Sequence, residues 1–220
     1  MIQTKTVHIL NGTEMYKNFE KSQLLEPETM TPFNEAMCYG ETCEDIFSEA
    51  FIEMRAMVHH VTPAQYAEIT LKPLQPLFKG SVERIALWFD EDMFCQMNLL
   101  TILAWLDKRN YKGEIDLHLV DHQYQPVGDY SLEAKGYAAL YKQVMINKTL
   151  PEDVGLTPLS KGIERYLNYL EKDSDLMLYI QRHHDVPAEE LVSLLIENFK
   201  EYGLGDTQYF EMIKECRQNR

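Results

Sequence analysis

The chain has no run of about 18 apolar residues of the kind a membrane-crossing helix requires, and no apolar targeting core at its start. Membrane spanning and secretion therefore lose support. Its four cysteines, Cys38, Cys43, Cys95 and Cys216, form neither a CxxC knuckle nor the dense framework of a small disulfide scaffold. The expectation is reduced thiols in a cytoplasmic protein. Basic charge is also scarce: 35 acidic residues against 21 basic ones leave a formal net charge of −14. Such a field repels a phosphodiester backbone, and the short basic fragments Lys108-Arg109 and Arg182-His183-His184 read as solvated helix ends, so nucleic-acid binding is disfavoured. Internal repeats and low-complexity tracts are absent too.

What remains is an ordinary globular composition, 45% hydrophobic and 11% aromatic, over 220 residues. That length suits one good-sized domain or a domain with an appended module. The run Val7 to Leu10 ends at Asn11-Gly12, with Thr13 as a candidate helix cap before a helix from Glu14 to Lys21. Residues 24–43 mix Pro27, Pro32, Asn34 and Gly40 with a short strand near Met30 to Phe33. Apolar residues at three- and four-residue steps predict a helix from Glu44 to His60, and another follows from Pro63 towards Leu71.

The segment Arg84 to Phe89 is continuously apolar after its first residue, as in a strand covered on both faces. Asp92 is placed to cap a helix over Met93 to Lys108, too apolar all round for the surface, and Glu114 to Val120 reads as a further strand. From about residue 130 only helices are expected, over 131–146, 157–172, 174–184, 188–202 and 206–217. The predicted architecture is thus α/β: a small, mainly parallel sheet with flanking helices over residues 1–150, and an all-helical C-terminal extension over 151–220.

Ligands of open parallel sheets sit outside the carboxyl ends of the strands, where helix N-termini point their amides outward. That rule gathers Asn11, Gly12 and Thr13 from the first strand, Asn34 and Glu35 from the second, Asp90, Glu91, Asp92 and Gln96 from the third, and Asp121 and His122 from the fourth. Arg55 joins them, either as a clamp for a ligand carboxylate or phosphate or as a structural partner of a strand-end acid. Several carboxylates beside a histidine suit Mg²⁺ or Mn²⁺; the same residues also suit helix capping and solvated turns. Asn11-Gly12-Thr13 lacks the three glycines of the dinucleotide fingerprint, and no Walker lysine follows it. Cys95 lies in the first turn of a helix, where the dipole favours a thiolate, but Glu91 and Asp92 oppose one. The pairs His59-His60 and His183-His184 point to different helix faces and read as solvated or capping residues.

The segments His8-Ile9-Leu10-Asn11-Gly12, Leu87-Trp88-Phe89-Asp90-Glu91-Asp92-Met93-Phe94-Cys95-Gln96 and Gly203-Leu204-Gly205-Asp206-Thr207-Gln208 resemble the bacterial family called domain of unknown function 1835, in the same order along the chain. The resemblance covers about the first 125 residues best. It implies a fold and a shortlist of site positions, and no reaction. The chain has Asn34 where that family often has Asp, and Glu41 after Gly40 where it has Gly-Pro.

Three functions remain open at this level. One is binding of a small molecule, a nucleotide or phosphorylated metabolite, by Asn11, Gly12, Thr13, Asn34, Arg55, Asp90, Asp92 and Gln96. The second is a non-catalytic regulatory or protein-interaction module, for which the apolar faces of 157–172 and 188–202 are the motive. The third is a helix-turn-helix regulator turning at Gly203, with few basic residues on its second helix.

Overall fold

In the computed structural model, residues 6–25, 28–79 and 82–218 are described; Pro27, one of the sequence breakers, lies outside them. The chain runs β1 (Thr6–Leu10), α1 (Thr13–Ser22), β2 (Thr29–Pro32), α2 (Glu49–Val58), α3 (Pro63–Tyr66), α4 (Gln75–Lys79), β3 (Arg84–Phe89), α5 (Met93–Lys108), β4 (Glu114–Val120) and β5 (Pro126–Leu132). Helices α6 (Tyr137–Tyr141), α7 (Thr157–Tyr169), α8 (Asp175–Arg182), α9 (Ala188–Asn198) and α10 (Asp206–Gln218) complete it. The fold is α/β, with a five-stranded sheet in the order β2-β1-β3-β4-β5. The first four strands are parallel and β5 is antiparallel to β4.

Side chains alternate across the pleat. Val7, Ile9, Ile85, Leu87, Phe89, Ile115, Leu117 and Leu119 face one large core, while Leu10, Ala86, Trp88 and Val120 face a smaller one closed by Met15 and Phe19 of α1. Helix α5 explains the rest of the plan. Every residue from Cys95 to Leu106 is buried, and a helix apolar on all sides needs packing partners beyond the sheet. Helices α6 and α7 supply them. Leu159, Ile163 and Tyr166 of α7 belong to the same core as the strands, so the hydrophobic interior runs across the boundary expected near residue 150.

Three expectations are corrected. Helix α2 begins at Glu49, because Phe47 adopts a left-handed backbone (φ 63°) and Ser48 caps the helix through Phe51 N. The helix expected over 131–146 is instead the end of β5 followed by α6 and a π-helical turn, Lys142–Ile146. β5 is exposed along most of both faces, so no apolar alternation marks it, and its pairing to β4 is what makes it a strand. Thr13 lies inside α1, whose N-cap is Gly12 at φ 89°.

Candidate functional site

The order β2-β1-β3 reverses direction at β1, and the crevice beyond the carboxyl ends of β1 and β3 is where open α/β sheets bind ligands. Four residues expected at the site meet there. Asn11 follows β1 and its amide N donates to Trp88 O of β3. Thr13 Oγ1 donates to Asn34 Oδ1 at 2.8 Å, and Asn34 Nδ2 donates to Ile69 O at 3.1 Å. Gly12 provides the positive φ of the turn, and a Cβ on it would meet open space, so the turn leaves room beside the α1 amides.

Asn98 ties this arc together. Buried in α5, it donates from Nδ2 to Asn11 Oδ1 (2.8 Å) and Glu35 O (2.6 Å), and accepts from Met37 N (3.0 Å). A fully buried amide must be satisfied in this way. Sequence reading missed it, although an asparagine inside the run Met97 to Leu106 was the available signal.

The second part of the site is the start of α5. Asp92 caps the helix, accepting from Cys95 N at 2.6 Å. Asn11 Nδ2 donates to Cys95 Sγ at 2.8 Å, and the thiol faces Asp92 Oδ2 at 3.4 Å, which joins the β1 turn to the α5 turn. Burial first, and the Asp92 carboxylate next, push the Cys95 thiol well above its usual pKa, so this cysteine serves as a hydrogen-bonded core residue and not as a thiolate. Gln96, also buried, donates from Nε2 to Asp90 O at 2.7 Å, while its Oε1 has no partner.

Burial raises the Asp92 pKa to about 6, against the lowering effect of the Cys95 amide, and burial likewise raises Asp90. Gly203, just before α10, presses on the Asp92 carboxylate: a Cβ there would stand 2.3 Å from Asp92 Cγ, at a φ of 64°. Only glycine closes so tightly at a positive φ. The elevated pKa carries a sign. Between the ordinary 3.8 and about 6 the folded state binds the proton and the unfolded state does not, so this group's contribution to stability falls as pH rises through that window. Asp92→Asn keeps an N-cap acceptor and should be more stable than wild type by about 1–3 kcal/mol above pH ~6, with the gain gone below pH ~4. Urea midpoints across that range would measure it, and a pH-independent difference would contradict the assignment.

A cleft of about 780 Å³ opens beside Asp92, between the ends of β3 and β4 and the C-terminal helices. Asp90 and Asp121 line its strand side, and Arg165 of α7, Lys200 and Gly203 line the helical side. Val127, Ile196 and Phe199 give it an apolar wall. Asp90, Asp92 and Gln96 thus gather at one end of α5, next to the arc of Asn11, Gly12, Thr13 and Asn34.

Arg55 does not join them. Its side chain is fully buried, with Nη2 on Glu35 Oε1 (2.7 Å) and Ala36 O (2.9 Å), and Nη1 on Tyr39 O (2.7 Å) and Glu41 O (2.9 Å). The ligand-clamp alternative is therefore replaced by the structural one, since those donors are spent on shaping the 35–41 loop. His59, expected to be solvated or capping, is the C-cap of α2, and its ring bonds Glu35 Oε1 at 2.6 Å, while Tyr66 donates its hydroxyl to Glu35 Oε2. Burial would raise the Glu35 pKa, but hydrogen bonds from His59 and the charge of Arg55 overcome it and hold the carboxyl at about 2.

Among the described residues no group of three or more His, Cys, Asp or Glu is placed to hold a metal ion. His122 and Asp121 both line the cleft, but Asp121 Oδ1 is engaged by the amides of Gln123 and Gln125. No described helix is long and apolar enough to cross a membrane. Compared with family models, with curated proteins and with solved structures, the chain matches none of them.

Proposed function

We propose that the protein binds a small polar metabolite in the cleft between the β3 and β4 ends and the C-terminal helices. The observation that carries this reading is the convergence of Asp90, Asp92 and Asp121 with Arg165 and Lys200 around about 780 Å³, a volume in the range of ligand pockets. Both charge types line it, so a ligand that offers hydroxyl or ammonium donors to the carboxylates and an acceptor to Arg165 and Lys200 is matched best. A nucleotide would bring its phosphates against five acids, Asp90, Glu91, Asp92, Asp121 and Glu201, and would bind through its own divalent cation. The family resemblance of the β1 and β3 ends is consistent with a site here and names no ligand.

The interaction-module reading rested on the apolar faces of the tail. Of those faces, Ile163, Tyr166, Leu191 and Leu195 are buried in the common core, Leu167, Leu194 and Phe199 are half-buried, and Leu170 is exposed. The helix-turn-helix reading gains no support: on α10, Glu211 accepts from Tyr39 of the body, and Arg217 donates to Val186 O.

A thermal-shift screen with polyols, amino acids, amines and phosphorylated metabolites, each with and without Mg²⁺, tests the proposal. A binder should raise the midpoint, and Arg165→Ala and Asp121→Asn should each weaken it about tenfold or more, as loss of a charge-assisted hydrogen bond implies. If no compound gives a shift sensitive to these two side chains, the cleft is not a ligand site.

A further inference from the structure

The C-terminal end of α5 lies roughly 20 Å from its N-terminus at about 1.5 Å per residue, and carries a second set of unusual features. Two adjoining hollows of about 510 and 350 Å³ share Phe78, Trp105 and Arg109 in their walls. Phe78 and Trp105 meet edge to face at 5.2 Å, and Phe47 stands 5.5 Å from Phe78 and 5.8 Å from Trp105. Phe47 holds this place at a φ of 63°, a conformation that costs a bulky residue about 1–3 kcal/mol. The chain bears that strain where its ring completes an aromatic wall facing a cavity.

Charge sets the groove apart from the rest of the surface. In a chain of net charge −14, the residues lining the two hollows include one acid, Asp45, against two bases, Lys108 and Arg109. The Arg109 guanidinium sits 5.1 Å from the Trp105 ring centroid, and among the described residues no carboxylate forms an ion pair with it. Lys108 gives one hydrogen bond, to Glu44 O at 2.6 Å.

We propose that this groove is a second binding site, for a small planar aromatic anion whose ring lies along Phe78 and Trp105 and whose carboxylate, phosphate or sulfonate pairs with Arg109. Aromatic stacking supplies ring affinity without sequence of donors, and an unpaired guanidinium supplies selection for the anion. The site is independent of the strand-end cleft.

Naphthalene sulfonate and its uncharged analogue naphthalene methanol are the probes, titrated into the full chain by calorimetry and by Trp105 fluorescence in a Trp88→Phe background. One saturable site for the sulfonate is expected. Arg109 is exposed, so Arg109→Glu leaves the fold intact, and it should weaken the sulfonate about tenfold or more while leaving the methanol within about twofold. Arg165→Ala should change neither. The inference is overturned if wild type shows no saturable sulfonate binding at millimolar concentration, if Arg109→Glu leaves it unmoved, or if Arg165→Ala abolishes it, which would place the probe in the other cleft. Calorimetry on wild type and Arg109→Glu decides the matter even if Trp88→Phe fails to fold.

Discussion

Arg55→Met is expected to destabilise the protein by about 3–5 kcal/mol, because it leaves a buried carboxylate without its cation. Glu35 is buried, and the guanidinium 2.7 Å from it also fastens the carbonyls of Ala36, Tyr39 and Glu41. Chemical denaturation at pH 7 measures the loss, a large share of the roughly 5–15 kcal/mol typical of a folded domain. The pH dependence identifies its origin. In wild type the Glu35 pKa falls from 4.5 to about 2 on folding, so its stabilising contribution is complete above the unfolded value and is lost as pH drops towards 2. In the variant the Arg55 share of that support is gone and the buried carboxylate keeps only its hydrogen bonds with His59 and Tyr66, so the deficit should shrink as acid neutralises it. Adding Glu35→Gln to Arg55→Met should recover part of the loss, since the two changes share one interaction. A deficit that is constant with pH and additive in the double variant would mean that Arg55 acts only through packing.

Gly162→Ala should also destabilise, by about 1–3 kcal/mol, as overpacking of a close interface does. The sign is not obvious from α7 alone, where alanine is favoured over glycine by about 1 kcal/mol in a helix interior. The tertiary contact decides: a Cβ at 162 would stand 2.4 Å from Gln96 Cβ and 2.9 Å from Gln96 Cγ. The first of these atoms is fixed to the α5 backbone and cannot swing aside, so α7 must move away from α5. Gly162→Leu should cost more. Because Gln96 donates to Asp90 O and Arg165 lies one turn further along α7, the same shift should weaken any ligand of the strand-end cleft. Denaturation midpoints together with the thermal-shift screen separate the outcomes, and a Gly162→Ala protein as stable as wild type would show that the two helices are not in close contact.

The parts of this fold that local pattern controls were legible in the chain. The apolar run of β3, the alternation of β4 and the cap and all-round apolarity of α5 appear where expected, with Arg84–Phe89, Glu114–Val120 and Met93–Lys108 as their bounds. Asp92 as the cap was readable because an N-cap depends on residues three positions apart. β5 was not readable, since nothing in Pro126–Leu132 alternates in burial and only β4 makes it a strand. Helix α2 was read too long because Ile46 and Phe47 continue its apolar period, while Phe47, its ring packed against Phe51, Phe78 and Trp105, takes a left-handed backbone (φ 63°) outside the helix.

The candidate site divides in the same way. Strand-end position alone brought forward Asn11, Gly12, Thr13, Asn34, Asp90, Asp92 and Gln96, since the sheet's direction dictates where such residues emerge. The place of Arg55 required the structure: its helix showed a cation on a buried face, but whether that cation met a ligand or Glu35 depended on where the 35–41 loop folds. Arg165, Lys200 and Gly203 come from distant segments, and their closure over Asp92 follows from the packing of α7 on α5. Sequence by itself determined an acidic chain, the parallel strands and the helix that must be buried, because each follows from composition or from neighbours within a few residues. The antiparallel edge, the buried Arg55–Glu35 pair and the walls of both clefts were decided by tertiary structure, because each depends on contacts between residues far apart in the chain, whose geometry no local period encodes.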